Sequence, residues 1–442
     1  MEPNDMEPND MEPNDMEPDR LSWLPGHVID RILSYLPIED AVRTSVLSSM
    51  WKKKWHTLPS IVFNTDCVSF APFQNHSISN IKFLKMVDNV LLLHSGPINK
   101  FKIRNYNTKL ICAIPETDID RWILHLIERS IQKLVLQISL EEQYKIPWGL
   151  FSCQSLRDLR LYDCCLTLPT MFEGLKNLKK LDLYDVTISQ DDLESLISRC
   201  PLLENLMLTE VDISQINIHA PNLKYFSIFD EFEDISFDDT FQLTEVYVGL
   251  SLYLNSESNQ SRLHGRSSNL LKIFNGLPHI WSLAIHDYFL KYLSVGVVPT
   301  KLPTPCIELE CLSLCINFDD LKEISTAICL LRSSPNLQTL YISATMEEQN
   351  VLLTPAFYYW EDIFSKPAML LRVQHVTINF ISGFKSETNL IKFLLLYSPR
   401  LEKMIVNPLV KVRQEVELLR ELLQFKRASA KAQVIYMDED SL

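Results

Sequence analysis

Trp51-Lys52-Lys53-Lys54-Trp55 sets three ammonium groups between two indoles. Cations and flat rings presented on one surface are what grips single-stranded nucleic acid. On a helix advancing ~100° per residue, however, Trp51 and Trp55 fall ~40° apart while Lys53 lies nearly opposite them. The pattern therefore predicts indoles turned inward and three lysines fanned into water, on the last of three short helices. Ten cysteines could do thiol or metal chemistry, and the tightest group is Cys306, Cys311 and Cys315. No CxxC pair occurs, and none of the ten histidines stands at ligand spacing from a Cys or a carboxylate. All ten cysteines are expected to be reduced thiols. Phosphate cradles (GxGxxG, GxxxxGK[ST]), the GxSxG elbow and HExxH are absent. No catalytic residue, no metal and no cofactor is expected, and no basic cluster is read on the exposed strand face described below.

The formal charge of −14 and a pI near 5.2 argue against general affinity for phosphate backbones or anionic membrane. No stretch reaches the ~18 apolar residues of a membrane helix, and the acidic start is no secretory signal. A cytoplasmic or nuclear location follows as the expectation. With 442 residues the chain has room for about two to four domains.

Residues 1–19 repeat the unit Met-Glu-Pro-Asn-Asp, carry no Lys or Arg, and predict a disordered acidic tail. Ordered sequence starts at Leu21. A helical stripe joins Leu24, Val28, Ile29, Ile32, Leu33 and Leu36, and Pro37 ends it. Ile38, Ala41, Val42, Val46 and Leu47 follow, with Asp40 and Ser48 as expected caps of two further helices. Three helices in about forty residues bury too little to stand alone, yet carry more apolar side chains than one small core needs.

The run "LPGHVIDRILSYLPIEDAVRTSVLSSMWKKKWHTLPSIVFN" resembles an F-box of the plant type. That resemblance implies binding of a Skp-type adaptor and, through it, the cullin and RING subunits of a ubiquitin ligase. The positions that carry it are Leu24, Pro25, Val28, Ile29, Ile32, Leu36, Pro37, Ala41, Val42, Val46, Leu47, Trp51 and Trp55. Internal packing is expected most at Ile32 and Val46, adaptor contact most at Leu24 and Pro25.

Beyond it, the register L-x-x-L-x-L recurs from Leu156 (with Leu159 and Leu161), Leu178, Leu203, Leu223, Leu243, Ile280, Leu309 and Leu337. Looser copies start at Ile98 and Ile131, and later ones at Val373 and Leu401. Each copy predicts one short strand and a return segment, and since one repeat cannot cover its own apolar face, neighbours must stack into a curved solenoid. The C-terminal stretch, with "QEVELLRELLQF" as a covering helix and "AQVIYM" as a closing strand, resembles the FBD domain of plant F-box proteins. The expected fold is an α/β solenoid: a three-helix F-box (20–63), leucine-rich repeats (64–354, with a polar loop about 254–269), and an FBD domain (355–442) that continues the sheet as a cap.

In this register the leucines point inward and the positions between them outward. Outward candidates include Arg160, Lys180, Asp182, Phe229, His286 and Tyr341. Tyr162, Tyr184, Tyr225 and Tyr247 are the expected target-binding residues, because Tyr is enriched at interfaces. It also favours strands with no ligand at all. The resemblance implies a non-catalytic, substrate-recognising subunit of an SCF-type ligase; the alternatives are a scaffold that degrades nothing, an enzyme in the solenoid's hollow, and a nucleic-acid binder.

Overall fold

A computed structural model describes residues 24–64, 76–104, 114–140, 142–251, 269–345, 360, 370–409 and 415–437. The acidic tail, nearly all of the polar loop and most of the aromatic "FYYWEDIF" segment lie outside these residues. The register read above generates the fold. Strand β1 (Ser60–Asn64) pairs with β2 (Lys100–Arg104), then β3 (Lys133–Gln137), β5 (Asp158–Leu166), β6 (Lys180–Ile188) and β7 (Asn205–Thr209). The order continues through β9 (Tyr225–Asp230), β11 (Glu245–Leu250), β12 (Ser282–Asp287), β13 (Cys311–Ile316) and β14 (Thr339–Ala344). It ends with β15 (His375–Ile381), β16 (Lys403–Pro408) and β17 (Gln433–Tyr436). The short strand β4 (Tyr144–Lys145) attaches to β5, and β8 (Gln215–His219) pairs with β10 (Asp234–Asp238) in a separate two-stranded sheet. Every pairing is parallel, and the long sheet is not closed on itself.

Parallel strands need a crossover between them, and the segments between the leucine triplets supply it. Helix Gln190–Ser198 is one; the Ser189 hydroxyl accepts the Asp192 N–H at 3.2 Å, satisfying an N-terminal donor. Asp320 does the same for helix Leu321–Ser333 through the Lys322 N–H at 2.8 Å. Strand starts interlock by one rule: two successive N–H groups of one repeat share a carbonyl of the repeat before. Lys179 and Lys180 donate to Arg157, Glu204 and Asn205 to Lys179, Lys224 and Tyr225 to Glu204. Where an Asn precedes the first leucine, its side chain repeats the contact: Asn177, Asn222 and Asn336 each donate at 2.8 Å to a carbonyl one repeat back.

One register runs across the sheet, with a shift between β15 and β16 after Ile378. Phe101, Leu134, Leu159, Leu181, Leu206, Phe226, Val246, Leu283, Leu312, Leu340, Val376 and Met404 form one buried row. Ile103 through Val406 forms a second, two residues along. Each fully buried aliphatic side chain contributes about 1.5–3 kcal/mol, and none can do so unless its neighbours on both sides are in place. Ile61 and Phe63 begin the same rows, so residue 63, the expected end of the F-box, lies within β1.

One expectation needs correction. The N-terminal unit has two α-helices, Gly26–Ser34 and Ile38–Arg43, but no third: Thr44–Val46 and Lys54–Thr57 are single turns of 3-10 helix. Leu58-Pro59 and the start of β1 leave too little chain for a stable α-helix, and the tighter 3-10 turn fits the space. Asp40 does not cap the second helix; Pro37 occupies that position and Asp40 pairs with Arg43 at 3.0 Å inside it. Ser48 accepts N–H groups of Trp51 and Lys52 through its carbonyl, making a turn.

Candidate functional site

Two surfaces stand out, one on each unit. In the N-terminal unit, Ile29, Leu33, Ile38, Ala41, Trp51 and Trp55 form the interior. The indoles point inward as expected, although by way of turns. Lys52 and Lys53 are exposed, but Lys54 folds back to Asp30 at 3.0 Å and to the Gly26 carbonyl at 3.3 Å. That contact ties the turn to the first helix instead of leaving all three lysines in water.

Besides this interior, five apolar side chains of the unit are left outside: Val46 is 89% exposed, Tyr35 76%, Met50 49%, Leu47 47% and Ile32 38%. The ranking from sequence is thereby reversed at two positions, since Ile32 and Val46 were expected to pack internally. Leu24, Val28, Leu36, Pro37 and Val42 are half-buried, and Pro25 is exposed. Tyr35 and Met50 lie off the helical stripe and carried no periodic signal.

This unit is seated firmly on the first repeat. His56 Nδ1 lies 2.8 Å from the Leu93 carbonyl, the Ser95 N–H donates to the His56 carbonyl at 2.8 Å, and buried His94 meets the Leu58 carbonyl through Nε2 at 2.9 Å. Burial lowers the His94 imidazole from its ordinary value. A Cβ on Gly96 would stand 2.9 Å from the Thr57 Cα, so only glycine allows the approach.

On the polar face of the sheet, the four expected tyrosines separate into two places. Tyr162 and Tyr184 are register partners on β5 and β6, with ring centroids 5.8 Å apart. The Arg104 guanidinium sits 6.0 Å over the Tyr162 ring, whose hydroxyl donates to Asp182 at 3.4 Å. Burial and the Asp182 charge push the Tyr162 phenol up; for Tyr184 the Glu210 charge is the leading cause. Tyr247 stacks on His286 at 4.6 Å, beside Gly249, where a Cβ would lie 2.5 Å from the Phe229 ring. Tyr225 lies one strand from Tyr247 but two residues off its row, opposite Glu245.

His286 also stands 3.5 Å from Cys315 Sγ, a neighbour across strands that linear spacing did not show. Burial pushes this thiol up and the imidazole down, the reverse of what a thiolate nucleophile requires. The eight described cysteines are all free thiols. Among the described residues no three His, Cys, Asp or Glu side chains converge on a metal position, and no helix is long and apolar enough to cross a membrane.

A second correction concerns charge. Lys100, Lys102 and Arg104 on β2, Lys133 on β3 and Arg160 on β5 do share one face, in a strip the sequence reading did not find. Applying the outward rule to the looser copies at Ile98 and Ile131 would have placed them. Asp163, Asp185, Glu210 and Asp287 take left-handed φ of 50–53°, as does Phe380 at 60°. Asp visits that conformation readily, whereas a bulky side chain such as Phe adopts it only at a cost.

Asp230, buried at the end of β9, accepts the Val211 and Glu231 N–H groups at 2.7 Å each, and burial pushes its carboxyl up to about 6. A folded-state value above the unfolded one means the native state holds the proton more tightly, so this group's contribution declines as pH rises from about 4 to 6. The stability of the wild type relative to Asp230→Asn should therefore improve by about 2 kcal/mol between pH 7 and pH 4, measured by urea unfolding. A difference independent of pH would refute the assignment.

Comparison with known proteins adds the following. A family model for the F-box domain matches residues 21–63, and one described as the leucine-rich repeats of FBD-associated F-box protein At5g56370 matches residues 119–342. The F-box/FBD/LRR-repeat protein At1g13570 of Arabidopsis thaliana is 36% identical over 424 residues, 95% of this chain and 99% of the relative. The F-box/FBD/LRR-repeat protein At5g56420 of the same plant is 25% identical over 440 residues, covering 95% and 99%. The FBD-associated F-box protein At5g56370, also of Arabidopsis thaliana, is 26% identical over 460 residues, covering 95% and 100%.

Proposed function

The chain belongs to the F-box/FBD/LRR-repeat proteins, and from that premise we propose that it is the substrate-recognising subunit of an SCF-type ubiquitin ligase. The observation that carries this reading is the exposure of Ile32, Tyr35, Val46, Leu47 and Met50 on a unit that also has a buried interior of its own. Large apolar side chains left outside the core of so small a unit call for a protein partner, and the F-box names its class: a Skp-type adaptor, with cullin and RING subunits beyond it.

The repeats would hold the target on the polar strand face, with Tyr162 and Tyr184 as one contact and Tyr247 with His286 as another. We read β15, β16 and β17, with helix Glu415–Gln424, as the FBD domain ending a solenoid. The chain performs no chemistry itself. It acts by proximity, raising the effective concentration of target lysines near a charged E2 enzyme. The seating of the F-box on the first repeat suits that task, because it transmits a defined geometry from adaptor to target.

The test is proximity labelling by the full chain under proteasome inhibition, compared with a chain carrying a disabled F-box. A degradative subunit predicts labelled proteins that accumulate on inhibition and carry ubiquitin only when the F-box is intact. Partners whose amounts ignore both treatments would instead favour a scaffold that stores or localises its partner.

A further inference from the structure

The strand starts carry apolar side chains that the fold does not ask for. Leu203, Leu223, Leu243, Leu309 and Leu337 each donate their N–H to the carbonyl three residues back, closing a tight turn before the strand. The second position of such a turn suits proline, which accounts for Pro201, Pro221 and Pro335. It accounts neither for Phe241 and Ile307, which take the same position, nor for Leu202 beside Pro201. Trp281 adds a fourth large apolar group: its N–H donates to the Thr244 carbonyl at 2.8 Å, one strand over from Phe241. All four are exposed, Phe241 most, at 66%.

These residues lead into β7, β11, β12 and β13, which with β9 are successive neighbours in the sheet. At about 4.8 Å per strand the row runs about 19 Å. Ser251 and Asn269, on either side of the polar loop, both stand at the opposite ends of these strands. Ser251 follows β11, and the Asn269 side chain donates to the Tyr292 carbonyl, just past β12, at 3.0 Å. Scattered exposed apolar residues need no explanation, but a row of four along one rim marks an interaction surface. Its charges say what fits there. Lys224 lies to one side of the row's centre, leading into β9, and Glu308 and Glu310 lie to the other, leading into β13. Their contacts within the chain, Lys224 with Glu204 at 3.6 Å and Glu308 with His279 at 2.9 Å, are exposed pairs worth little. Opposite charges at equal distances from an apolar centre match the same surface turned by half a revolution.

We propose that the chain forms a two-fold dimer through this rim. The axis passes between β11 and β12 and reverses the strand order. Phe241 then comes opposite Pro278 and Trp281 of the second copy, and Lys224 opposite Glu308 and Glu310. Leu202 comes opposite Pro335, while at the edge Lys176 comes opposite Arg372, a like-charge pair left to water. The same reversal sets β17 opposite β3. The F-box, which precedes β1, therefore lies beyond the last strand of the second copy and stays open to its adaptor. Two target faces would then share one assembly; that consequence rests on the proposed function, and the contact itself does not.

The experiment is sedimentation equilibrium of the full chain from about 1 to about 100 μM, with neither adaptor nor target present. The apparent mass should rise with concentration from 51.3 kDa towards twice that value. Phe241→Asp with Trp281→Asp should keep the chain monomeric without lowering its melting temperature, since both sites are exposed. Lys224→Glu should weaken association at least about tenfold by setting like charges face to face. Glu308→Lys with Glu310→Lys should do the same, and all three changes in one chain should restore the dimer. Val46→Asp with Leu47→Asp, on the F-box, should leave it intact. A chain that stays monomeric throughout, which would leave the rim to a different protein, overturns the proposal. So does a dimer that survives Phe241→Asp with Trp281→Asp, one lost with the F-box substitutions, or a failure of the three combined charge changes to restore association. No adaptor or target enters this assay, so its failure leaves the ligase reading standing.

Discussion

Val46→Asp combined with Leu47→Asp is expected to lower affinity for a Skp-type adaptor by at least about 100-fold while leaving the chain's melting temperature unchanged. Both halves follow from exposure. Val46 is 89% exposed and Leu47 nearly half so, and substitutions at such sites alter stability by about 0.5 kcal/mol or less. In a complex, apolar anchors in a desolvated interface cost about 2–4 kcal/mol each when lost, and a buried carboxylate adds its own desolvation. Trp51→Ala is the contrasting variant: it empties a buried indole site and should cost about 3–5 kcal/mol of stability, so any loss of binding would follow unfolding. Leu24→Ala with Pro25→Ala, the pair favoured from sequence, should fall between. Size-exclusion co-elution with purified adaptor, alongside thermal melts, separates the cases. Retention of adaptor by the doubly charged variant would remove the basis for placing the interface on this row.

Leu206→Ala should destabilise the chain by about 2–5 kcal/mol, a large fraction of the roughly 5–15 kcal/mol that holds most folded domains together. Leu206 is fully buried, with Leu181 and Phe226 as register partners on the two flanking strands. Truncation therefore opens a void bordered by both neighbouring repeats, and in stacked repeats the coupling between neighbours supplies much of the stability. Met207, the next residue, turns to the opposite face and is exposed; Met207→Ala should cost under about 0.5 kcal/mol. Urea titration of the two variants measures the difference directly. Equal costs would mean that the alternation of β7 has been misassigned.

The repeats were legible because their signal is redundant. Each copy from Ile98 to Leu401 states the same register, and stacking brings like positions together, so an error in one copy is corrected by the next. Leu58-x-x-Ile61-x-Phe63 states the same register inside the run that resembles an F-box, and Ile61 and Phe63 pair into the sheet. The F-box was harder in a different way. Periodicity gives the angle between two side chains on one helix, but elements of nine and six residues followed by 3-10 turns leave open which neighbour covers which face. That is why Ile32 and Val46 were placed inside and found outside, and why Lys54 was expected in water and found on Asp30.

The sequence by itself determined that Trp51 and Trp55 face inward, that the body is an array of parallel strands in one register, and which positions along each strand are polar. The strand properties are local, set by side-chain direction within one element; the indoles turn inward through successive turns and not through one helix. What the polar positions assemble into was decided only by tertiary structure. Strand order put Lys100, Lys133 and Arg160 side by side although up to sixty residues separate them, split four similar tyrosines into two places, and set His286 against Cys315. Charge and ring interactions act over a few ångströms of space, and the crossovers, variable in length, are what convert distance along the chain into contact between strands.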